Sequence, residues 1–161
     1  MFLTVGTQFP FDRLVRAIDV LAGKGVFREE LYAQIGDSTY RPHHFEAVAS
    51  LDKHDFDRHF KDASAIIGHA GMGTITMALD NNKPLLAMPR LKRYREVVND
   101  HQVALAYRFE ALGHILVARD ENELEGKIEQ LYSFKPRPRR AEPEAVAQRI
   151  RVFLEEISTA K

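Results

Sequence analysis

The sequence predicts an α/β domain in which helices flank a parallel sheet of about six strands. Short apolar runs alternate with helical patterns along the 161 residues, an order typical of βα units. A glycine-rich turn, Gly71–Thr74, joins one apolar run directly to a helical pattern. The length suits a single domain that buries a sizeable core.

The first half of the chain begins with the apolar run Phe2–Val5, which predicts a strand, followed by a turn over residues 6–10. Leu14, Ile18 and Leu21 recur at helical spacing and predict a helix over Phe11–Leu21. The further elements predicted in this half are the strands Leu31–Ile35, Phe45–Val48 and Ala65–Ile67 and the short helix His54–Lys61.

The second half begins with a helix predicted over Thr74–Leu79, which the segment Asn81–Pro84 ends. Asp100 occupies the N-cap position of a helix that runs to about Leu112. Apolar spacing predicts another helix over Asp120–Tyr132. The remaining elements are the strands Leu85–Met88 and Ile115–Val117 and the charged loop Arg90–Asn99.

Three regions organise the chain: a domain over 1–133, a basic proline-rich joint over 134–140, and an amphipathic helix within 141–161. The joint is expected to be a solvated linker, with contact to anionic lipid head groups as the alternative. The last helix is predicted over Val146–Ile157. Its apolar face is expected to cover its own domain, the alternative being a contact with a second chain; that face comprises Val146, Ile150, Phe153 and Leu154.

Composition excludes several classes of protein. Lys+Arg and Asp+Glu both number 23, so bulk charge does not indicate a nucleic-acid binder. The absence of cysteine excludes a disulfide scaffold, a thiolate zinc site and a cysteine nucleophile. Histidines such as His54 and His59 lack metal-ligand spacing, so neither a metal nor a cofactor is expected. Without a signal peptide or an apolar run of ~18 residues, the expected location is cytoplasmic.

The glycine-rich turn is expected to cradle an anion. Backbone N–H groups at a helix N-terminus bind anions, and Gly71 and Gly73 allow positive φ and leave room that a Cβ would fill. Thr74 adds a hydroxyl donor. The pattern is neither a Walker motif nor a dinucleotide motif, because Thr76 replaces the third glycine. A tight turn that binds nothing is the alternative.

Two other loops follow predicted strands. Ligands of parallel sheets bind at the carboxyl ends of strands, where Gly6 and Thr7 follow the first strand and His69 precedes the glycine-rich turn. His101 and Gln102 follow the charged loop, and the Gln amide suits sugar hydroxyls. The alternatives are a histidine that packs a loop and a helix start that faces solvent.

Three segments, in this order and spacing, resemble the C-terminal, donor-binding half of GT-B glycosyltransferases of family 28. They are Val5–Thr7 with Phe11–Leu14, then Gly68–Thr74, then Lys83–Gln102, and the resemblance covers about 1–133. It is greatest to stand-alone subunits of two-chain enzymes that use UDP-sugars, including bacterial exopolysaccharide subunits and the eukaryotic subunit for dolichol-linked GlcNAc transfer. The resemblance implies a Rossmann-like domain that forms half of a GT-B fold.

The resemblance also implies roles for individual residues. The backbone of Gly71–Thr74 would lie at the nucleotide diphosphate, with Pro89 and Arg90 near the base or diphosphate. His101 and Gln102 would hold the donor sugar. The full set of implied binding residues is Gly6, Thr7, His69, Gly71, Met72, Gly73, Thr74, Pro89, Arg90, His101 and Gln102.

One residue departs from the family pattern. Related enzymes often carry a Glu in the helix after the glycine-rich turn, where its carboxylate binds the ribose hydroxyls. Met77 stands at that position and cannot accept those hydrogen bonds. Either Asp80 or a backbone group replaces it, or the ribose is bound more weakly.

Sugar transfer leaves negative charge on the diphosphate, which a helix N-terminus stabilises. The acceptor hydroxyl also needs a general base. The resemblance implies that this base lies on a membrane-associated partner that binds a lipid-linked acceptor at the inner face of the membrane. His69 and Glu96 are the alternatives on this chain. A homodimer through the exposed cleft face is a further alternative.

Two other function classes remain open at this point. One is a nucleotide-sugar-binding or regulatory module without catalysis, which Met77 favours. The other is a flavodoxin-like scaffold, although the acidic cluster expected after the first strand is missing. Glucose, galactose, glucuronate and GlcNAc differ at only one or two substituents, so the sequence leaves the sugar open.

Overall fold

A computed structural model describes residues 1–139 and 143–159. Its centre is a sheet of six parallel strands in the order β3-β2-β1-β4-β5-β6. The strands are β1 (Phe2–Thr4), β2 (Tyr32–Gln34), β3 (Glu46–Val48), β4 (Ile66–His69), β5 (Leu85–Met88) and β6 (Leu116–Val117). The predicted fold class, a parallel sheet of about six strands with flanking helices, is confirmed.

Four helices lie in connections between strands and two more follow the last strand, whereas the described connection between β2 and β3 contains no helix. They are α1 (Asp12–Gly23), α2 (Lys53–Asp62), α3 (Met72–Asp80), α4 (His101–Ala111), α5 (Leu124–Leu131) and α6 (Pro143–Thr159). Short 3-10 turns at Lys92–Tyr94 and Glu121–Glu123 precede α4 and α5. The main difference from prediction is at α3, which begins at Met72, so that Gly71 is the N-cap and Thr74 lies in the first turn.

The core has two layers because side chains of a strand alternate between the faces of the sheet. On β4, Ile67 packs in the layer covered by α1 and α5, and Ile66 packs in the layer covered by α2, α3 and α4. Each fully buried large apolar side chain contributes about 1.5–3 kcal/mol to folding. The same alternation places Leu3 and Leu86 in the first layer and Phe2 and Leu85 in the second.

The strand order reverses between β1 and β4, the central pair of the sheet. Connections leave these strands in opposite directions, which opens a crevice at their carboxyl ends. The two strands approach closely at Gly68, where a Cβ would lie 2.6 Å from the Thr4 carbonyl oxygen. The crevice therefore lies between the loop after Thr4 and the turn after His69.

Helix α6 does not cover the domain through its apolar face, which corrects the sequence-based expectation. Ile150, Phe153, Leu154 and Ile157 are each 51–54% exposed. The side chains that pack on the two faces of the sheet come from α1 to α5. The side chain of Val146 and the joint residue Arg140 lie outside the described part. None of the described helices combines the length and the apolar character needed to cross a bilayer.

Candidate functional site

A cavity of about 560 Å³ lies at the carboxyl ends of β1, β4 and β5. This volume is typical of small-molecule sites. The cavity brings together ten of the predicted binding residues: Gly6, Thr7, His69, Gly71, Met72, Gly73, Thr74, Arg90, His101 and Gln102. Its other lining residues are Val5, Gln8, Phe9, Phe56, Phe60, Met77, Val97 and Val98.

The lining has a clear charge pattern. No Asp or Glu is among the described lining residues, and the cationic side chain is that of Arg90, with His69 and His101 nearby. A second groove, of about 580 Å³, lies between α1 and the 3-10 turn 121–123, but charges of both signs line it and no strand-end loop contributes. The cavity at the strand ends is therefore the better candidate for an anionic ligand.

The glycine-rich turn forms one wall of the cavity. Gly71 caps α3 without a side-chain hydrogen bond, so the first backbone N–H groups of the helix are without helical partners. Neither glycine adopts the positive φ that it would allow: Gly71 has φ −80° with ψ 145°, and Gly73 is not in the left-handed region. A Cβ on Gly73 would meet nothing within 4 Å, so its position faces open space.

His69 explains why Gly6 and Gly71 are glycines. A Cβ on Gly71 would lie 2.2 Å from His69 Cε1, and a Cβ on Gly6 would lie 2.7 Å from His69 Nε2. Gly6 also has φ +71°, a conformation that favours glycine. The imidazole ring therefore fills a slot between the loop after β1 and the turn after β4.

The protonation state of His69 follows from this packing. Burial lowers its pKa to about 3, and the charge of Arg90 acts in the same direction. The neutral ring places Nε2 3.0 Å from Thr74 Oγ1, and its buried Nδ1 has no hydrogen-bond partner. A group with such a low pKa is a weak proton acceptor, which argues against His69 as the general base.

Arg90 is a buried cation at the floor of the cavity, with 2% of its surface exposed. Its Nη2 donates to the carbonyl oxygens of Val5 and Phe9 at 2.6 and 2.5 Å. Its Nε is buried without a hydrogen-bond partner. Burial lowers the pKa of Arg90 to about 10 although the charge of Glu96 opposes the shift, so the guanidinium stays charged at neutral pH.

The start of α4 faces the cavity from the other side. Gln102 is buried, and its Oε1 accepts a hydrogen bond from the Arg90 backbone N–H at 3.2 Å, which leaves its amide N–H groups as donors. His101 is exposed and contacts Asn99 Oδ1 through Nδ1. Asp100 occupies the predicted N-cap position, but its carboxylate instead accepts from the Lys92 N–H at 2.7 Å.

Two predicted site residues lie outside the cavity lining. Pro89 points its carbonyl oxygen at Arg13 Nη2, 3.1 Å away. Glu96 is buried, and its carboxylate binds Arg13 through both oxygens. Glu96 is therefore engaged in a buried ion pair, an arrangement that does not suit a general base.

Met77 and Asp80, the residue considered as its replacement at the ribose, differ in position. Met77 lines the cavity, whereas Asp80 is exposed at the end of α3 and is absent from the lining. Sequence reasoning missed Phe56 at the cavity wall, because aromatic residues four apart on a helix are more often core than ligand contacts; Phe60, one turn further on, is indeed a fully buried core residue. It also missed Arg13, whose long-range partner no local pattern reveals.

A group of acidic and histidine side chains lies at the start of α2 and comprises Asp52, His54 and Asp55. The Asp52 carboxylate caps the helix by accepting from the Asp55 N–H at 2.8 Å. Since Asp52 and His54 are exposed and the cap explains Asp52, the group does not indicate a metal site.

Comparison with curated proteins gives relatives of one name. The UDP-N-acetylglucosamine transferase subunit ALG13 of Eremothecium gossypii is 39% identical over 67 residues, which are 41% of this chain and 31% of that protein. The protein of the same name from Mus musculus is 30% identical over 125 residues, which are 71% of this chain and 10% of that protein. The chain thus matches about a third and a tenth of the length of these relatives.

Solved structures share the fold at low sequence identity. The solution structure of ALG13 matches with a TM-score of 0.59 at 21% identity, over 89% of this chain and 90% of that one. MurG of Acinetobacter baumannii matches with a TM-score of 0.56 at 18% identity, over 82% of this chain and 40% of that one. The architecture is therefore that of a Rossmann-like half of the GT-B fold.

The family described as glycosyltransferase family 28 C-terminal domain matches residues 1–157. This match extends from the first strand into α6 and includes every loop that lines the cavity. The chain belongs to the glycosyltransferase family 28 C-terminal domain family.

Proposed function

We propose that this chain is the donor-binding subunit of a glycosyltransferase. It moves a hexose-type sugar from a UDP-sugar to a lipid-diphosphate-linked glycan acceptor in polysaccharide or glycolipid synthesis. The observation that carries the proposal is the buried charge of Arg90, which forms no ion pair within the described part of the chain and lines the same cavity as the N-terminus of α3, a cavity without carboxylates among the described lining residues.

The diphosphate lies at the N-terminus of α3. There the free N–H groups and the helix dipole favour negative charge, and Arg90 offers a guanidinium whose hydrogen-bond partners are neutral carbonyls. A buried cation that lacks a paired anion is costly, and a bound diphosphate compensates it. The same groups stabilise the charge that develops on the departing UDP.

The apolar wall takes the nucleoside. Phe56 and Met77, both half-buried, offer an apolar surface against which a flat base packs, and Met77 gives the ribose hydroxyls no acceptor. Backbone groups then bind the ribose in place of a carboxylate. Gln102 and His101 hold the hydroxyls of the sugar through their amide and imidazole N–H groups, a role that their place in the cavity lining supports.

The general base comes from a second chain. No carboxylate lines the cavity among the described residues. His69 has a low pKa and is therefore a weak base for the hydroxyl proton of the acceptor substrate. We infer that a membrane-associated partner supplies the base and binds the lipid-linked acceptor at the cytoplasmic face. The word "subunit" in the names of the ALG13 relatives supports an assembly of this kind.

The absence of a base from this cavity also favours a second candidate, a nucleotide-sugar-binding module without catalysis. Transfer assays separate the two. Labelled UDP-glucose, UDP-galactose, UDP-glucuronate and UDP-GlcNAc are incubated with lipid-diphosphate-linked acceptors, the chain, and membranes that contain the acceptor-binding partner. The proposal predicts transfer only when both chains are present; binding of UDP-sugar without transfer in the assembly would instead support the module.

A further inference from the structure

We propose that Arg13 and Glu96 are positioning residues, whose buried ion pair holds segment 89–102 in the shape that forms one wall of the cavity. We call this ion pair the clasp. The proposal rests on the proposed function only in treating the cavity as the donor site, because the position of the segment is measured independently.

The clasp joins two distant parts of the chain. Arg13 lies on α1 and Glu96 lies in the loop before α4, 83 residues later. Arg13 Nε donates to Glu96 Oε1 at 2.8 Å and Arg13 Nη2 donates to Oε2 at 2.9 Å. The two side chains are only 11% and 8% exposed. Two parallel hydrogen bonds between charged groups fix both distance and orientation.

Glu96 and Arg13 each make further contacts within the segment 89–96. Glu96 Oε2 accepts from the Leu91 N–H at 2.9 Å, which ties the end of the loop to its beginning. Arg13 Nη2 donates to the Pro89 carbonyl oxygen at 3.1 Å, and the guanidinium lies 4.7 Å from the centroid of the Tyr94 ring. Arg13 therefore holds the loop at its start, its middle and its end.

The backbone next to Glu96 is strained. Arg95 has φ +59°, a left-handed conformation that is uncommon outside glycine, and it ends the 3-10 turn Lys92–Tyr94. This bend directs the chain so that Glu96 is buried while Arg95 is exposed. Such a conformation persists when surrounding contacts hold it, and the bonds of Glu96 are contacts of that kind.

The clasp connects directly to the cavity. Val97 and Val98 follow Glu96 and line the cavity wall. Gln102 ends the segment, where its Oε1 meets the Arg90 backbone N–H. Because α1 follows the loop that contains Gly6, the clasp joins the loops after β1 and β5, the two loops that Arg90 also links through the Val5 carbonyl.

The test compares Glu96→Gln, Arg13→Gln and the double variant with wild type. Amide hydrogen exchange reports the order of residues 91–100, and calorimetry reports UDP affinity. Each single variant is expected to speed exchange in 91–100 and to weaken UDP binding about tenfold or more. The double variant is expected to be no worse than Arg13→Gln alone, because Arg13→Gln already removes the shared ion pair together with the second bond of Arg13, from Nη1 to Glu121 Oε2 at 3.1 Å.

A conservative variant and a control variant complete the test. Arg13→Lys retains the charge but loses the bidentate geometry, so it should change exchange in 91–100 and UDP affinity less than Arg13→Gln does. It also provides a folded protein for the test if the Gln variants fail to fold. Arg119→Gln removes the exposed ion pair with Glu123, in which the side chains are 61% and 34% exposed, and should leave both measurements unchanged.

Two outcomes would overturn the clasp. One is a folded Glu96→Gln variant with wild-type exchange and wild-type UDP affinity. The other is loss of transfer in the assembled enzyme with exchange and affinity unchanged, which would make Glu96 a proton acceptor. If wild type binds no UDP but the variants speed exchange in 91–100, the positioning of the loop stands and the proposed donor function fails.

Discussion

The ring of His69 occupies the space that a side chain on Gly71 would need. A Cβ on Gly71 would lie 2.2 Å from His69 Cε1 and 2.5 Å from Nδ1. Since real Cβ atoms do not approach other atoms this closely, the two positions depend on each other. The glycine at 71 is explained by this histidine, whereas the glycine at 73 faces open space.

Gly71→Ala should therefore displace His69 and disturb the cavity. We expect destabilisation of roughly 1–3 kcal/mol, as for overpacking of a tight site. Urea denaturation measures this, with Gly73→Ala as the matched control, which should change stability far less. If the clash with His69 is the cause, Gly71→Ala should lower the unfolding free energy less in a His69→Ala background than in wild type. An equal loss of unfolding free energy in the two backgrounds would contradict the steric account.

Gly73→Trp should block UDP binding while the domain stays folded. Its position opens into the cavity and lies in the first turn of α3, so an indole there would occupy the ligand space. Calorimetry with UDP is the measurement. Gly126→Trp is the control, because Gly126 is an exposed helical glycine outside the cavity lining and a Cβ there meets nothing within 4 Å. Unchanged UDP affinity in Gly73→Trp would refute the placement of the diphosphate.

Arg90→Gln should weaken binding of UDP more than binding of uridine. Its charge is buried and has no paired carboxylate, so its loss removes attraction for phosphate and spares the base. We expect UDP affinity to fall about 10- to 100-fold, as for a hydrogen bond to a charged group. Equal losses for UDP and uridine would show that Arg90 acts only by holding the loop 5–9.

The buried neutral state of His69 makes stability depend on pH. Its pKa is about 3 in the folded chain and 6.5 in the reference state, so between these values the unfolded chain binds more protons. The contribution of His69 to the unfolding free energy is fully present above pH 6.5 and is lost as pH falls towards 3. His69→Asn should flatten the slope of unfolding free energy against pH by up to ~1.4 kcal/mol per pH unit.

Urea titrations at several pH values measure that slope. Superimposable pH profiles for wild type and His69→Asn would contradict the low pKa of His69.

The exposed face of α6 should contribute little to stability. Phe153 and Leu154 are each 53% exposed, so Phe153→Ser and Leu154→Ser should change the unfolding free energy by less than about 0.5 kcal/mol. Ile128→Ala in α5 removes a fully buried side chain and should cost about 2–5 kcal/mol. A large loss of stability in the α6 variants would show that this face packs against the domain.

The sheet was predictable because its strands leave a local signal. Central strands such as Ile66–His69 are buried on both faces and therefore appear as short continuous apolar runs. The helices that cover them carry apolar residues at helical spacing. The place of α6 was not predictable, because an amphipathic pattern shows that a face is apolar but not which surface covers it.

The candidate site was predictable where backbone and chain order define it. Gly6, His69 and Gly73 meet because the strands before them are neighbours in the sheet. The role of Glu96 was not predictable, because its partner Arg13 lies 83 residues away and only the folded chain shows that both carboxylate oxygens are engaged.

The most direct test of the account is calorimetric titration of the wild-type chain with UDP and, in parallel, with uridine. The account predicts saturable binding of one UDP per chain and an affinity for uridine at least about tenfold weaker, because α3 and Arg90 bind the diphosphate. No heat with UDP, or equal affinity for UDP and uridine, would contradict it.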